Sequence, residues 1–169
     1  MKIGFALLTA LAVTACADRP PLKYLTREPF SPQDVAWSTV PGANSLSGSV
    51  LFEYWNNQPR PCAEVPVRLV PDSAYARRRL QELYGSDAAG VSSGPGYGGY
   101  GPEKFDFRWL ESGKTADCNQ GSYSFEGVAD GTWYVVSSWM MPGDKDGRGV
   151  SMFKRVELRG GHAVQLNLP

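Results

Sequence analysis

Few side chains in this sequence are spaced for catalysis. His162 is the single histidine, and it follows Gly160-Gly161 in what reads as a hairpin turn. A His-ligated metal centre draws on several such side chains, so none is expected. A serine nucleophile needs a strained, presented position such as a strand-to-helix elbow. Gly90-Val91-Ser92-Ser93-Gly94 has the G-x-S-x-G spacing, but no helical pattern follows it. Glu111 and Asp117 could share acid–base work as a glycosidase pair does, yet their spacing equally suits solvated loop carboxylates. Asp144-x-Asp146-Gly147 matches the start of a calcium loop, but residues 151–156 lack the closing bidentate Glu. An acidic turn is the plainer reading. Gly94, Gly96 and Gly99 fit G-x-G-x-x-G, a pattern that cradles phosphate only where it opens a helix. Here Pro102-Glu103-Lys104 follows instead. These features point away from an enzyme, a cofactor and a metal.

Binding chemistry is better represented. Arg77, Arg78 and Arg79 form a cationic run that suits either an anion site or a solvated helix face. Trp133, Val135 and Trp139 alternate on one side of an apolar run, with Tyr134 and Val136 on the other. One set must line a core, and an outward set would form an aromatic strip. Tyr97, Tyr100 and Trp109 lie in or just after a Gly-rich stretch. Exposed aromatics stack on sugars and anchor protein interfaces; the alternative is that the tryptophans fill the core. The candidate contact residues are therefore Tyr97, Tyr100, Trp109, Arg77 and Arg78.

The N-terminus carries an address. Lys2 gives a positive start, Ile3 to Val13 is an almost unbroken apolar run, and small residues precede Cys16. That run is shorter than the roughly 20 residues a spanning helix needs. Val13-Thr14-Ala15-Cys16 resembles the lipobox of bacterial lipoproteins, whose peptidase cleaves before a cysteine already carrying diacylglycerol. An ordinary signal peptide with an incidental cysteine is the other reading. The resemblance implies a signal peptide over 1–15 and a lipid-modified, palmitate-bearing Cys16 that holds the chain on a bilayer. Two or more acyl chains make such attachment lasting, since each buried CH₂ contributes ~0.8 kcal/mol. Ala17, in place of an Asp, favours the outer membrane with the chain facing the periplasm.

Composition sets further bounds. The 169 residues have zero formal net charge, which gives nucleic acid or an anionic surface no general electrostatic hold. Cys62 and Cys118 remain after Cys16, and in an oxidising compartment an even remainder suggests a disulfide. Two buried free thiols are the alternative. A bridge would close a loop of about 57 residues, for roughly 4 kcal/mol in the chain-entropy account.

The elements that must position these residues are mostly strands. Residues 16–46 hold five prolines, Pro20, Pro21, Pro29, Pro32 and Pro41, and read as a lipidated, Pro-rich tether, with the Val35–Trp37 end placed to dock on the domain. A domain is expected over 47–169. Within it Ser49–Trp55, Val65–Val70, Phe105–Trp109, Tyr123–Phe125, Trp133–Trp139, Met152–Leu158 and Ala163–Leu168 have strand character. Residues 72–104 read as an insertion. Ser73 to Gly85 begins and ends like a helix, with Ala76, Leu80, Leu83 and Tyr84 on one face, and 85–102 reads as a Gly/Tyr-rich surface loop. About seven short strands separated by turns indicate an all-β, Ig-like antiparallel sandwich.

The order of pieces resembles the carboxypeptidase regulatory-like modules, which share a transthyretin-like sandwich. Gly48-Ser49-Val50 matches their early "G-x-V" strand, and Glu64–Leu69 the next. Gly121–Tyr134 matches "G-x-F-x-F-x-G-(V/L)-x-x-G-x-Y". The likeness spans 46–169 and departs at 71–104, where many members have a short turn. It implies a non-enzymatic accessory module. The expected function is thus a membrane-anchored envelope lipoprotein acting as a protein-interaction or scaffolding module, with an envelope protein as partner and residues 72–104 as the contact surface. The alternative is a module binding glycan, either peptidoglycan or polysaccharide, through exposed aromatics; a hydrolase comes third.

Overall fold

The computed structural model describes residues 29–53, 59–63, 65–95, 106–140 and 148–169. Cys16, Tyr97, Tyr100, Asp144 and Asp146 lie outside them. After a 3-10 helix at Pro32–Thr39 come β1 (Asn44–Ser49), β2 (Leu51–Glu53), β3 (Pro59–Pro61) and β4 (Pro66–Pro71). Next are α1 (Ala74–Tyr84), β5 (Ala89–Pro95), α2 (Arg108–Glu111) and β6 (Lys114–Asp117). The chain continues with β7 (Ser122–Val128), β8 (Gly131–Met140), β9 (Arg148–Leu158) and β10 (Ala163–Gln165).

The result is an all-β sandwich. One sheet runs β5-β9-β8-β4-β6, the other β10-β1-β7, and β2-β3 forms a separate hairpin. Among the described residues there are ten strands rather than about seven, because β1, β3, β5 and β6 are short or weakly patterned. Pairing is antiparallel except for β1 with β10, which run parallel. The two sheets enclose a core that includes Leu46, Phe52, Val67, Leu69, Phe125, Trp133, Val135, Met152 and Leu168. Cys62 and Cys118 sit in it as a disulfide, with Cα atoms 5.8 Å apart.

A second core lies on the other face of the five-stranded sheet. Tyr134 and Val136 of β8 and Phe153 of β9 pack there against Ala76 and Leu80 of α1, Trp109 and Leu110 of α2, and Phe30 and Val35. Hence β8 leaves no outward aromatic strip: both of its faces are covered. Its unbroken apolar run is that of a strand buried on two sides. Phe30 and Leu46 are 4% and 0% exposed, so the packed domain takes in residues from Phe30 onward.

Local chemistry explains the helical layer. Ser73 Oγ accepts the Ala76 N–H at 3.0 Å, satisfying an N-terminal donor. Gly85, at φ 72°, ends α1 by donating its N–H to the Gln81 carbonyl, the left-handed closure glycine permits. Of the stretch expected as a strand at Phe105–Trp109, the described part, from Asp106 on, instead enters α2. Asp106 Oδ1 accepts from the Arg108 backbone N–H at 3.2 Å and from its Nε at 2.8 Å, which favours a turn over an extended chain. The neighbours Trp109 and Leu110 are then both buried, as alternation would not allow.

Gly160-Gly161 is likewise not a hairpin turn. Both glycines have positive φ, 69° and 72°, but β9 and β10 belong to different sheets. The crossing is pinned by Asn44, which is fully buried. Its Oδ1 accepts from Gly161 N (2.9 Å) and His162 N (3.1 Å). Its Nδ2 donates to the Val128 carbonyl (2.9 Å) and Asp130 Oδ1 (2.8 Å).

Candidate functional site

With both faces of the large sheet covered, concave surface is left at its end and along one edge. At the end, β8 carries Trp139 on the side that faces the second sheet. There the covering element is the β2–β3 hairpin, in which Phe52 stands opposite Arg60, so the two side chains share a face. Phe52 is 2% exposed and forms the floor. Trp139 is half-buried and Arg60 exposed. Together with Pro61 and Ala63 they line a cavity of 170 Å³.

That volume is below the ~300–1,000 Å³ of sites for drug-sized ligands, so it suits one ring of a longer molecule. An indole face and a guanidinium offer stacking on one side and several N–H donors on the other. Pro59-Arg60-Pro61 favours an extended backbone, since proline fixes φ and restricts the residue before it. Arg60 has no ion-pair partner among the described residues. The strand ends around it converge: Met140 pairs with Gly149 and Pro95 with Arg148. Thus the ends of β5, β8 and β9 that border residues 96–105 and 141–147 sit at this same pole.

The second concavity is a groove of 400 Å³ along β5, lined by Ala89, Val91, Phe153, Lys154 and Leu168 among others. There the five-stranded sheet overhangs the smaller one. Arg155 N donates to the Ala88 carbonyl, and antiparallel pairing then turns the N–H and C=O groups of Ala89, Val91 and Ser93 outward. Val91 is 54% exposed.

The residues named from sequence fare unevenly. Trp109 is 1% exposed and packs near Tyr75, ring centroids 6.4 Å apart; it belongs to the second core and offers no surface platform. Its Nε1 has no hydrogen-bond partner among the described residues. Arg77 pairs with Asp72, whose Oδ1 also accepts the Tyr134 hydroxyl at 2.9 Å. Arg78 lies 5.5 Å over the Tyr75 ring. Both arginines are therefore engaged within the chain, near α1 rather than near Trp139. Burial pushes the Tyr134 phenol well above its ordinary value, helped by Asp72. Glu111 and Asp117 are exposed on different elements. His162 is exposed too, and its backbone N–H is what Asn44 holds. Among the described residues no group of three His, Cys, Asp or Glu side chains is placed to hold a metal ion, and no helix is long and apolar enough to cross a membrane.

Trp139 was legible as an aromatic at the end of a long strand, but Phe52 and Arg60 were missed. Arg60 and Trp139 are 79 positions apart in the chain, and only the sheet packing brings them together.

No protein-family model matches the sequence, and no curated protein does either. Among solved structures, the chain is similar to a Pseudomonas aeruginosa protein described as a "putative carbohydrate binding protein". The TM-score is 0.60 at 17% identity, over 82% of this chain and 96% of that one. At that identity the likeness concerns the fold.

Proposed function

We propose that this chain is a carbohydrate-binding module of the cell envelope, held at a membrane through lipidated Cys16, with its sugar site at Trp139 and Arg60. The observation that carries the reading is the half-buried indole beside a guanidinium in a ring-sized cavity. A pyranose stacks its C–H face on an indole, while Arg N–H groups donate to its oxygens. The description of the structural neighbour supports the same ligand class. The anchor rests on the Val13–Cys16 sequence, and its placement in the outer membrane, facing the periplasm, on Ala17. The test is co-sedimentation of the full-length protein, in detergent micelles, with purified peptidoglycan sacculi and with insoluble polysaccharides. Wild type should be retained on at least one, and Trp139→Ala and Arg60→Ala should reduce retention while thermal melting shows both folded. Equal retention of all three proteins would remove the site.

One observation favours a protein-binding reading as well, the open edge of β5. It is uncharged, pairs with β9 over all seven of its residues, and presents the backbone groups of Val91 and Ser93 and the carbonyl of Ala89, whose N–H is taken by Ser86 Oγ. Edges of this kind accept an extended segment from a partner. The edge also lies within the 72–104 surface marked out by sequence. Val91→Pro removes the central outward donor at a position where an edge strand tolerates proline. A defined crosslinked partner in cells that disappears in Val91→Pro would support this reading; a partner unaffected by the change would exclude β5.

A further inference from the structure

We propose that the Trp139 cavity selects an acidic sugar, a uronic acid or other carboxylated pyranose, whose carboxylate pairs with Arg60 while the ring lies on Trp139. The inference rests on the sugar-binding reading and adds the ligand's charge to it.

Three features carry it. The first is the polarity of the lining: Phe52, Pro61 and Ala63 have no polar side-chain atoms, and Trp139 has only a donor N–H. The side chains of the described lining therefore donate hydrogen bonds and accept none. A neutral sugar's hydroxyl protons find no side-chain acceptor in this set and must turn to water or to backbone carbonyls. A carboxylate carries two acceptor oxygens and no proton, and so it complements the lining.

The second feature is the state of Arg60. No carboxylate among the described residues forms an ion pair with it. Three arginines on the helices contrast with it: Arg77 is held by Asp72, Arg79 by Glu82 and Arg108 by Asp106. A guanidinium matches a planar carboxylate through two parallel N–H···O bonds.

The third is geometry. Arg60 shares its hairpin face with Phe52, which puts the cation at the cavity that Trp139 walls. The carboxylate at C5 of a uronic acid projects from the ring's rim, so the ring can stack while the charge reaches sideways to the guanidinium.

The experiment uses the full-length protein in detergent micelles, with binding read from tryptophan fluorescence. Probes are oligomers of galacturonate, mannuronate and glucuronate, each beside its carboxyl-reduced, neutral counterpart. The expected result is that at least one uronate binds roughly ten-fold or more tightly than its reduced form, and that added salt narrows the gap. Arg60→Gln should abolish the preference by weakening the acid alone; Arg60 is exposed, so the variant keeps its fold. Trp139→Ala should weaken both forms. Equal affinity for the two forms in wild type, or a preference that survives Arg60→Gln, overturns the acidic selection while leaving sugar binding in place. No binding to any acid, with binding to a reduced form, does the same. Binding to neither series overturns both readings.

Discussion

Asn44 is the residue whose loss should reveal most about how the sandwich is closed. Its amide sits at 0% exposure with four hydrogen bonds, to Val128 and Asp130 on one side and from Gly161 and His162 on the other. Every donor and acceptor of the side chain is thus used. Each such bond contributes a net ~1 kcal/mol, which sets an upper figure of about 4 kcal/mol for Asn44→Ala. Gly161 and His162 are exposed residues, so water can replace the amide there. About 2–3 kcal/mol is therefore expected, a large part of the ~5–15 kcal/mol stability of a typical domain.

Asn44→Asp separates shape from chemistry. It keeps the size and the Oδ1 acceptor, but it replaces the donating amide nitrogen with a second carboxylate oxygen, set against Asp130 Oδ1, which the amide now approaches to 2.8 Å. Two facing carboxylates raise the folded-state pKa of the pair above the unfolded value of about 4. The variant's stability is then fullest below about pH 4 and is lost as pH rises through the raised folded value. Denaturant unfolding at pH 5 and pH 7.5, with the disulfide intact, measures both effects. Asn44→Ala within ~0.5 kcal/mol of wild type would refute the reasoning. So would Asn44→Asp showing no relative gain at the lower pH.

Replacing Cys62 and Cys118 by serine should lower stability by roughly 4 kcal/mol from loop entropy alone, given a sequence separation of 56, read as a lower denaturant midpoint. Burial raises the phenol pKa of Tyr123 and Tyr134 well above the ordinary value for tyrosine. Their contribution is intact below about pH 10 and is lost as pH rises further, because the unfolded chain gives up those protons first; unfolding curves at pH 9 and 11 test it. Cys16→Ser should move the chain from the membrane fraction to the soluble fraction and abolish incorporation of labelled palmitate; retention in membranes would remove the lipid anchor.

The sequence spoke most clearly where local chemistry and tertiary packing agree. α1 announced itself through Ser73, Gly85 and one apolar face, and the structure buries Ala76 and Leu80 from that face. β8 was readable from its length, and the adjacent Val135 and Val136 carried the sign that both its faces are covered. β5 was hidden because Ala-Gly-Val-Ser-Ser-Gly-Pro has little strand propensity; seven pairs with β9 hold it extended. At Phe105–Trp109 alternation misled, since the Asp106 side chain stabilises a turn there. The parallel β1–β10 pair depends on a crossing held by Asn44, and no window of sequence contains both strands. Cys62 and Cys118, paired by parity, are bonded in the core.

The same layering decides where ligand can be bound. With a helical layer behind it the five-stranded sheet has no free face, and the outer face of the smaller sheet carries the small or polar side chains Ser122, Ser124 and Glu126. Concave recognition surface therefore falls to strand edges and to the pole where β2–β3 meets β8. The cavity there is small, and a single stacked ring limits the affinity of one site. On the proposed reading the membrane anchor offsets that limit. Many copies on one surface, facing a polysaccharide with many identical rings, raise the effective concentration of each site. Weak intrinsic binding and firm attachment to a polymer are then compatible. The two arginine groups are also placed apart: Arg77 and Arg78 make local contacts within α1 and its start, to Asp72 and Tyr75, while Arg60 faces the cavity.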